Sequence, residues 1–146
     1  MPTPELRELS EIEILALTIY GEARGESIEG QVAVGSVIRN RKSNRDSYHD
    51  ICLKREQFSC WNSTDSNVGL LNGMAEILLR NQNITNTHYM QCFWVAEGII
   101  KNLIKDNTND AKNYLTNDLF HNNRPSWAKN LRTAPKEIGN QTFFSV

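Results

Sequence analysis

A run of charged residues between two apolar segments is the feature that most constrains this sequence. The run covers residues 20–26 and lies inside a longer stretch, residues 12–41, whose apolar side chains recur at helical spacing before and after it. Two buried helices with a short charged connection are therefore predicted. Carboxylates at such a connection are partly desolvated, which makes them candidates for acid–base chemistry.

Glu22 continues the apolar stripe of the first predicted helix. Ser10 and Glu13 form the capping-box pattern that starts this helix, and apolar residues then follow at spacings of three and four. Burial and the negative end of the helix dipole both disfavour an ionised carboxylate, so the pKa of Glu22 is expected to be raised, as a general acid requires. Glu26, beyond the helix end, is less suited to holding a proton. A solvated charge or an ion pair with Arg24 is the alternative interpretation of Glu22.

The second predicted helix is apolar on nearly every side and is expected to form the centre of the core. Ser27 is its predicted N-cap and residues 31–38 are its body. Gly35 lowers helix propensity, so its presence predicts a close crossing, with the first helix as the expected neighbour. Asn40 and Arg41 follow the buried segment, where they either orient a carboxylate or sugar or are simply solvated.

Composition limits the possible functions. With 146 residues, 39% of them hydrophobic, and no linker, residues 1–146 are expected to form one domain. The net charge of -1 gives no argument for nucleic acid, and no Lys/Arg cluster is interleaved with aromatic residues, so no nucleic-acid partner is expected. A monomer without cofactor or metal is expected. The chain has no signal-peptide pattern and no apolar run of membrane-spanning length, which predicts synthesis in the cytoplasm. Cys52, Cys60 and Cys92 lack metal-type spacing and are expected to be free packing residues.

Residues 57–61 read Gln-Phe-Ser-Cys-Trp and combine polar groups with large rings. This combination suits carbohydrate, because aromatic faces pack on sugar C–H surfaces while amides and hydroxyls bond to hydroxyl and N-acetyl groups. The same residues are equally typical of a β-segment that packs in the core. Both interpretations stay open at this point.

The remaining segments predict a mainly helical α+β fold with a small β-sheet or hairpin. Residues 106–124 are rich in Asn and Asp and are expected to be mostly loop, although Tyr114 and nearby apolar residues suggest a cleft wall. The other predicted elements are helices at 68–80 and 87–105, a short helix at 125–128, and a tight turn at 139–140 between two terminal strands.

Short motifs follow one another along nearly the whole chain. They are Tyr-Gly-Glu-Ala-Arg-Gly-Glu at 20–26, Glu-Gly-Gln-Val-Ala-Val at 29–34, Asn-Arg at 40–41, Gln-Phe-Ser-Cys-Trp at 57–61, Pro-Ser-Trp-Ala at 125–128, and Ile-Gly-Asn leading to Phe-Phe at 138–144. Their order resembles the cell-wall hydrolase family typified by the catalytic domain of spore-cortex-lytic enzymes. The resemblance implies peptidoglycan cleavage at the glycan strand, in a lysozyme-like, transglycosylase-related fold, with Glu22 as the catalytic glutamate.

The chain departs from the family pattern at two places, and the candidate substrate-binding residues lie in the segments described above. Family members often have histidines at two places where this chain has Asn113 or Leu115, and Gln141, so a histidine proton relay is not implied here. The glutamate is retained. The predicted substrate-binding residues are Glu26, Asn40, Gln57, Phe58, Ser59, Trp61, Tyr114 and Trp127.

The expected reaction is cleavage between N-acetylmuramic acid and N-acetylglucosamine, with Glu22 as general acid and base. A muramidase would need a second carboxylate, for which Glu26, Glu29 and Asp50 are the candidates. Without one, the C6 hydroxyl of the muramic acid attacks, so lytic transglycosylation is preferred over hydrolysis. The stand-alone form resembles a phage-type endolysin, which would act on the wall after release.

Three other functional classes remain. A Cys/His peptidase using Cys60 with His49, His88 or His121 has no base placed beside the thiol, and a zinc site from the same histidines lacks paired spacing. A non-catalytic glycan-binding module is the stronger alternative, since the same aromatic and amide groups would bind sugar. Clearing of a cell-wall suspension would separate cutting from binding.

Overall fold

Six helices and a three-stranded antiparallel sheet form the part of the protein that the computed structural model describes, residues 4–55 and 57–146. This confirms the mainly helical α+β class. No helix in these residues is long and apolar enough to cross a membrane. The elements are α1 (Glu11–Ala23), α2 (Ile28–Arg41), α3 (Tyr48–Cys52), α4 (Val68–Leu79), α5 (Thr87–Ile100), β1 (Asn113–Thr116), α6 (Asn117–Asn122), β2 (Lys136–Ile138) and β3 (Gln141–Phe144), with 3-10 turns at Leu6–Glu8, Ser59–Trp61 and Ser126–Ala128.

The helices on either side of the charged run begin at their predicted caps. Ser10 Oγ accepts from the Glu13 amide at 3.1 Å, and Glu13 Oε1 accepts from the Ser10 amide at 2.8 Å, which completes the capping box. Ser27 Oγ accepts from the Gly30 amide at 3.3 Å and starts α2. Because α1 ends one residue after Glu22, this carboxylate projects from its last turn.

The core is organised around α2, in which residues 30–38 are all buried. At Gly35 the predicted close crossing is confirmed: an added Cβ would lie 3.1 Å from the side chain of Ile19 in α1 and would overlap Ile99 in α5. The crossing therefore involves α5 even more closely than α1. Three helices meet at a position where only glycine fits without a shift.

The sheet ties the end of the chain to the segment before α6. Its strand order is β1-β3-β2, and Tyr114 of β1 pairs with Phe143 of β3. Gly139 has a φ of +58°, a left-handed conformation that glycine adopts at no steric cost. The predicted tight turn between the two terminal strands is thus confirmed.

One local prediction is wrong because the sheet overrides it. Residues 106–124, predicted to be mostly loop, contain both β1 and α6. The strand forms because β3 supplies its backbone hydrogen-bond partners, which no local sequence pattern indicates. Thr116 then accepts from the Leu119 amide and caps α6.

Two further segments differ from their predictions. The β-segment alternative for residues 57–61 is wrong, because no strand forms there and Ser59–Trp61 make a turn of 3-10 helix. Helix α5 ends at Ile100, five residues early, because the chain reverses at Asn102, whose φ is +59°. The amides of Leu103 and Ile104 then both donate to the Gly98 carbonyl, which closes the helix end.

Candidate active site

A cleft of about 480 Å³ opens at the end of α1, beside the sheet. Separate parts of the chain contribute to it: the ends of α1 and α2, the turn at 57–61, strand β1, and the turn after α6. The residues that line it are Glu22, Arg41, Gln57, Ser59, Asn113, Tyr114 and Trp127.

Glu22 is the acidic group of this cleft, and its environment favours the protonated form. Burial is the main cause of a raised pKa, and the charge of Asp65 raises the pKa further. Hydrogen bonds from Tyr114, the Cys60 amide and the Ser59 hydroxyl oppose this rise without cancelling it. The predicted rise in pKa is confirmed. A raised pKa makes this carboxyl group better suited to acting as a general acid than an ordinary solvated glutamate.

Tyr114 fixes the position of the Glu22 carboxyl. Its hydroxyl donates to Glu22 Oε1 at 3.1 Å, and its ring contacts Phe143 with centroids 5.5 Å apart. Burial, followed by the neighbouring Glu22 charge, raises the pKa of Tyr114 well above its ordinary value. The phenol therefore stays protonated and keeps donating throughout the usual pH range.

Arg41, at the end of α2, forms a cationic part of the cleft wall. Its Nε donates to the Lys112 carbonyl at 2.6 Å and its Nη1 donates to Gln57 Oε1 at 3.3 Å. The guanidinium also lies over the Phe58 ring, 5.1 Å from its centroid. Burial lowers the pKa of Arg41, but arginine titrates so far above neutrality that the group stays charged.

Trp127 provides an exposed aromatic surface in the cleft. Its side chain is 53% exposed and stacks on Phe144, with ring centroids 6.0 Å apart and planes inclined by 29°. Because Phe144 belongs to β3, its ring gives the indole a fixed surface on which to stack. Such a ring suits packing against the C–H face of a sugar.

The structure brings five of the predicted site residues together and places four elsewhere. Glu22, Gln57, Ser59, Tyr114 and Trp127 all line the cleft. The other four, Glu26, Asn40, Phe58 and Trp61, make contacts that explain their separation from it, as follows.

Two of these four pack against other parts of the protein. Phe58 is 2% exposed and serves as the surface on which Arg41 lies. Trp61 is half-buried, donates from Nε1 to Thr18 Oγ1 at 2.9 Å, and lines other surface pockets together with Leu53. Neither ring faces the cleft.

The other two fix neighbouring loops. Asn40 Nδ2 donates to Asp106 Oδ2 at 3.2 Å and to the Ala111 carbonyl at 2.9 Å, which holds the segment that leads into β1. Glu26 lies against the β2–β3 turn, where a Cβ on Gly139 would be 3.1 Å from its Oε2. Both residues contact segments next to the cleft and do not line it themselves.

Two lining residues were absent from the predicted substrate-binding set. Arg41 had been considered with Asn40, and the helical pattern did not show which of the two side chains turns toward the cleft, so only Asn40 entered the set. Asn113 had drawn attention only as a place where relatives carry histidine, and its position depends on the pairing of β1 with β3. Knowing the strand would have added Asn113 to its neighbour Tyr114, which was already in the set.

The other carboxylates considered for a second catalytic group lie outside the cleft. Asp50 forms a 2.9 Å salt bridge with Arg7 and accepts from the Ser47 amide at the start of α3. Glu29 is exposed in the first turn of α2. Within residues 4–55 and 57–146, Glu22 is the only carboxylate that lines the cleft.

The cysteines have the environment of packing residues. All three are free and buried, and burial raises the pKa of Cys52 to about 12 and that of Cys60 still further. A thiol of this kind is a poor nucleophile at neutral pH. In the described residues no group of three His, Cys, Asp or Glu side chains is arranged to hold a metal ion.

Comparison with known proteins agrees with the resemblance in the motifs. A family described as Cell Wall Hydrolase matches residues 25–144, starting just after Glu22. A spore cortex-lytic enzyme of Oceanobacillus iheyensis is 53% identical over 38 residues, which cover 26% of this chain and 14% of that protein. A spore cortex-lytic enzyme of Bacillus subtilis is 59% identical over 32 residues, 22% of this chain and 10% of that protein. No solved structure matches. Because the family match covers most of its length, this chain belongs to the cell wall hydrolase family.

Proposed function

We propose that this protein cleaves the glycan strand of peptidoglycan between N-acetylmuramic acid and N-acetylglucosamine as a lytic transglycosylase. The observation that carries the proposal is Glu22, a carboxyl group with a raised pKa in a cleft that also holds an exposed indole and several amides. Membership of the cell wall hydrolase family and similarity to two spore cortex-lytic enzymes support a cell-wall substrate.

The first step is protonation of the leaving group. Glu22, neutral before the reaction, donates its proton to the glycosidic oxygen while the bond between that oxygen and C1 of the muramic acid breaks. Positive charge develops on the sugar ring, and Glu22 becomes a carboxylate that partly balances it. Tyr114 holds the carboxyl through its hydrogen bond and stabilises the ionised form as it appears.

The second step closes the sugar on itself. The C6 hydroxyl of the same muramic acid attacks C1, and the Glu22 carboxylate takes the hydroxyl proton. The new C1–O6 bond replaces the glycosidic bond that broke in the first step, no water is consumed, and Glu22 returns to its neutral state. The product carries a 1,6-anhydro ring in place of a reducing end.

Hydrolysis is the competing reaction, and it requires a base for water or a nucleophilic carboxylate. Glu22 is the only carboxylate lining the described part of the cleft, and Asp50 is held by Arg7. Asp65 affects Glu22 through its charge, and its side chain accepts from the Asn67 amide at 2.8 Å. These contacts favour the reaction in which the substrate supplies the nucleophile.

Product analysis distinguishes the two reactions. Purified peptidoglycan digested in ¹⁸O-labelled water should give fragments with 1,6-anhydromuramic ends, no incorporated label and no ends reducible by borohydride. Mass spectrometry measures all three properties. Reducible ends that carry one ¹⁸O atom would identify a muramidase. Binding to cell walls without clearing them would identify a binding module.

Tyr114→Phe is expected to lower kcat by about tenfold and to move the alkaline limb of the pH–activity profile to higher pH. Phenylalanine keeps the ring contact with Phe143 but removes the hydrogen bond that lowers the pKa of Glu22. That pKa should then rise further, so the protonated acid persists to higher pH. Initial rates of cell-wall clearing across the pH range measure the limb.

Tyr89→Phe is the matched control for this substitution. Tyr89 is a buried tyrosine of α5, and its hydroxyl has no hydrogen-bond partner among the described residues. Its profile should coincide with that of the unmodified protein. A limb that moves to lower pH in Tyr114→Phe, or moves equally in both variants, would contradict the role given to Tyr114.

A further inference from the structure

A second pocket, of about 250 Å³, adjoins the cleft and is lined mainly by cations. It shares Arg41 and Gln57 with the cleft, so these two side chains form the wall between them. The rest of its lining is Ile51, Lys54 and Lys112. We call these five residues the basic pocket.

The three cations of the basic pocket come from different parts of the fold. Arg41 ends α2, Lys54 follows α3, and Lys112 immediately precedes the cleft residue Asn113. Within residues 4–55 and 57–146, none of the three lies within salt-bridge distance of a carboxylate. The fold therefore places three positive charges around one pocket, and their mutual repulsion is reduced when an anion binds between them.

Arg41 is oriented in a way that suits an anion. Nε and Nη1 are engaged by the Lys112 carbonyl and Gln57, and the Phe58 ring fixes the plane of the guanidinium. Among the described residues Nη2 has no hydrogen-bond partner. A planar guanidinium held in this way can offer its remaining N–H groups to a carboxylate at little entropic cost.

We propose that the basic pocket binds a carboxylate of the stem peptide attached to the lactyl group of N-acetylmuramic acid, so that the protein prefers glycan whose peptides carry free carboxylates. This inference rests on the proposed function, because a glycan strand in the cleft would bring its peptide substituents to the adjoining surface. The peptide carries an α-carboxylate within the chain and another at its C-terminus. Ile51 adds an apolar wall for the peptide beside the three charges.

Binding to an inactive protein tests the inference separately from catalysis. Soluble glycan fragments of two disaccharide–peptide units are prepared with free carboxylates, or with those carboxylates converted to amides by carbodiimide and ammonia. Titration calorimetry with the Glu22→Gln protein should show binding to the free form about three- to tenfold tighter than to the amide form at low salt. The difference should shrink as ionic strength rises.

Removing the two lysines should weaken this preference. In Lys54→Gln/Lys112→Gln, on the Glu22→Gln background, the affinity ratio between free and amide fragments should fall toward one, with Arg41 supplying the preference that remains. Lys105→Gln/Lys136→Gln removes the same charge from exposed sites elsewhere and is the matched control. With Glu22 present, the Lys54/Lys112 pair should raise KM for the free-carboxylate fragments by about the same factor while kcat changes little.

The outcomes separate this inference from the proposed function. Equal affinity for free and amide fragments, or an equal loss in the control pair, would overturn the basic pocket while leaving glycan cleavage intact. Binding that disappears when phosphate-containing polymers are removed from cell walls, and not when carboxylates are amidated, would also overturn it. Fragments that retain only the internal or only the terminal carboxylate would show which of the two is bound. Failure of the unmodified protein to cut any glycan would refute the proposed function itself.

Discussion

Glu22→Gln is expected to reduce glycan cleavage by about 10³-fold or more while leaving the fold unchanged, because general acid–base catalysis contributes about 10²- to 10⁴-fold. Glutamine has nearly the shape of glutamate and can still accept from Tyr114, but it cannot donate a proton to the glycosidic oxygen. Clearing of purified cell walls measures the rate, and circular dichroism measures the fold. Glu22 serves both steps of the proposed reaction, and it is the only carboxylate that lines the described part of the cleft. No second carboxylate is therefore available there to replace it.

The same substitution has a predictable effect on stability. The pKa of Glu22 is raised above its ordinary value of 4.5 in the folded protein, so its ionised form is less stable there than in the unfolded chain. The protonated Glu22 side chain therefore makes its full contribution to stability at pH values below its pKa in the unfolded chain. That contribution is lost as the pH rises through the pKa of Glu22 in the folded protein. Glutamine does not ionise, so the Tm of the variant at neutral pH should equal or exceed that of the unmodified protein, and the difference should vanish at acidic pH.

Glu29→Gln is the matched control for Glu22→Gln. Glu29 is the same residue type, is exposed on α2, and was one of the candidates for a second carboxylate. It should keep normal activity and a normal Tm. Substantial activity in Glu22→Gln, or a loss in Glu29→Gln as large as that expected for Glu22→Gln, would remove Glu22 from its assigned role.

The position of Glu22 illustrates what the sequence can predict here. The capping box at Ser10 sets the start of α1, and the apolar spacing then determines which face is buried. Both signals are local, so the partial burial of Glu22 and the direction of its pKa shift followed without tertiary information. The N-cap at Ser27 and the close crossing at Gly35 were predictable for the same reason.

The missed features depend on contacts between residues far apart in the chain. Strand β1 lies in an Asn- and Asp-rich segment and exists because β3 pairs with it. Asn113, which the predicted site lacked, enters the cleft through that pairing. Phe58 and Trp61 have the composition of a sugar-binding surface, but packing beneath Arg41 and a hydrogen bond to Thr18 occupy them instead. The types of these residues indicated that they could bind sugar, but only the tertiary structure shows which of them reach the cleft.

Gly35→Ala is expected to destabilise the protein by about 1–3 kcal/mol or more, despite the better helix propensity of alanine. A methyl group at this position overlaps the Cδ1 atom of Ile99 and lies 3.1 Å from that of Ile19. Because Ile19 and Ile99 are both fully buried, their methyl groups have little space to move into, so relief of the clash requires strained rotamers or a shift of the helices. Urea unfolding followed by tryptophan fluorescence measures the free energy of unfolding.

Gly73→Ala provides the control for the propensity term. Gly73 lies in α4 with no atom within 4 Å of an added Cβ, so alanine there should stabilise the protein by about 0.5–1 kcal/mol. If Gly35→Ala behaved in the same way, the close crossing would not be rigid. The two substitutions have identical chemistry, and the sign of the stability change depends on the surroundings alone.

Ile99→Val tests the origin of the Gly35→Ala effect, because valine lacks the Cδ1 atom that the new methyl group overlaps. Alone it should cost about 0.5–1.5 kcal/mol, as deletion of one buried methyl group usually does. Combined with Gly35→Ala it should cost less than the sum of the two single changes, since the added methyl then occupies the vacated space. Rescue should be incomplete because Ile19 still crowds the site. Strict additivity of the two costs would mean that the helices move apart for a reason other than this contact.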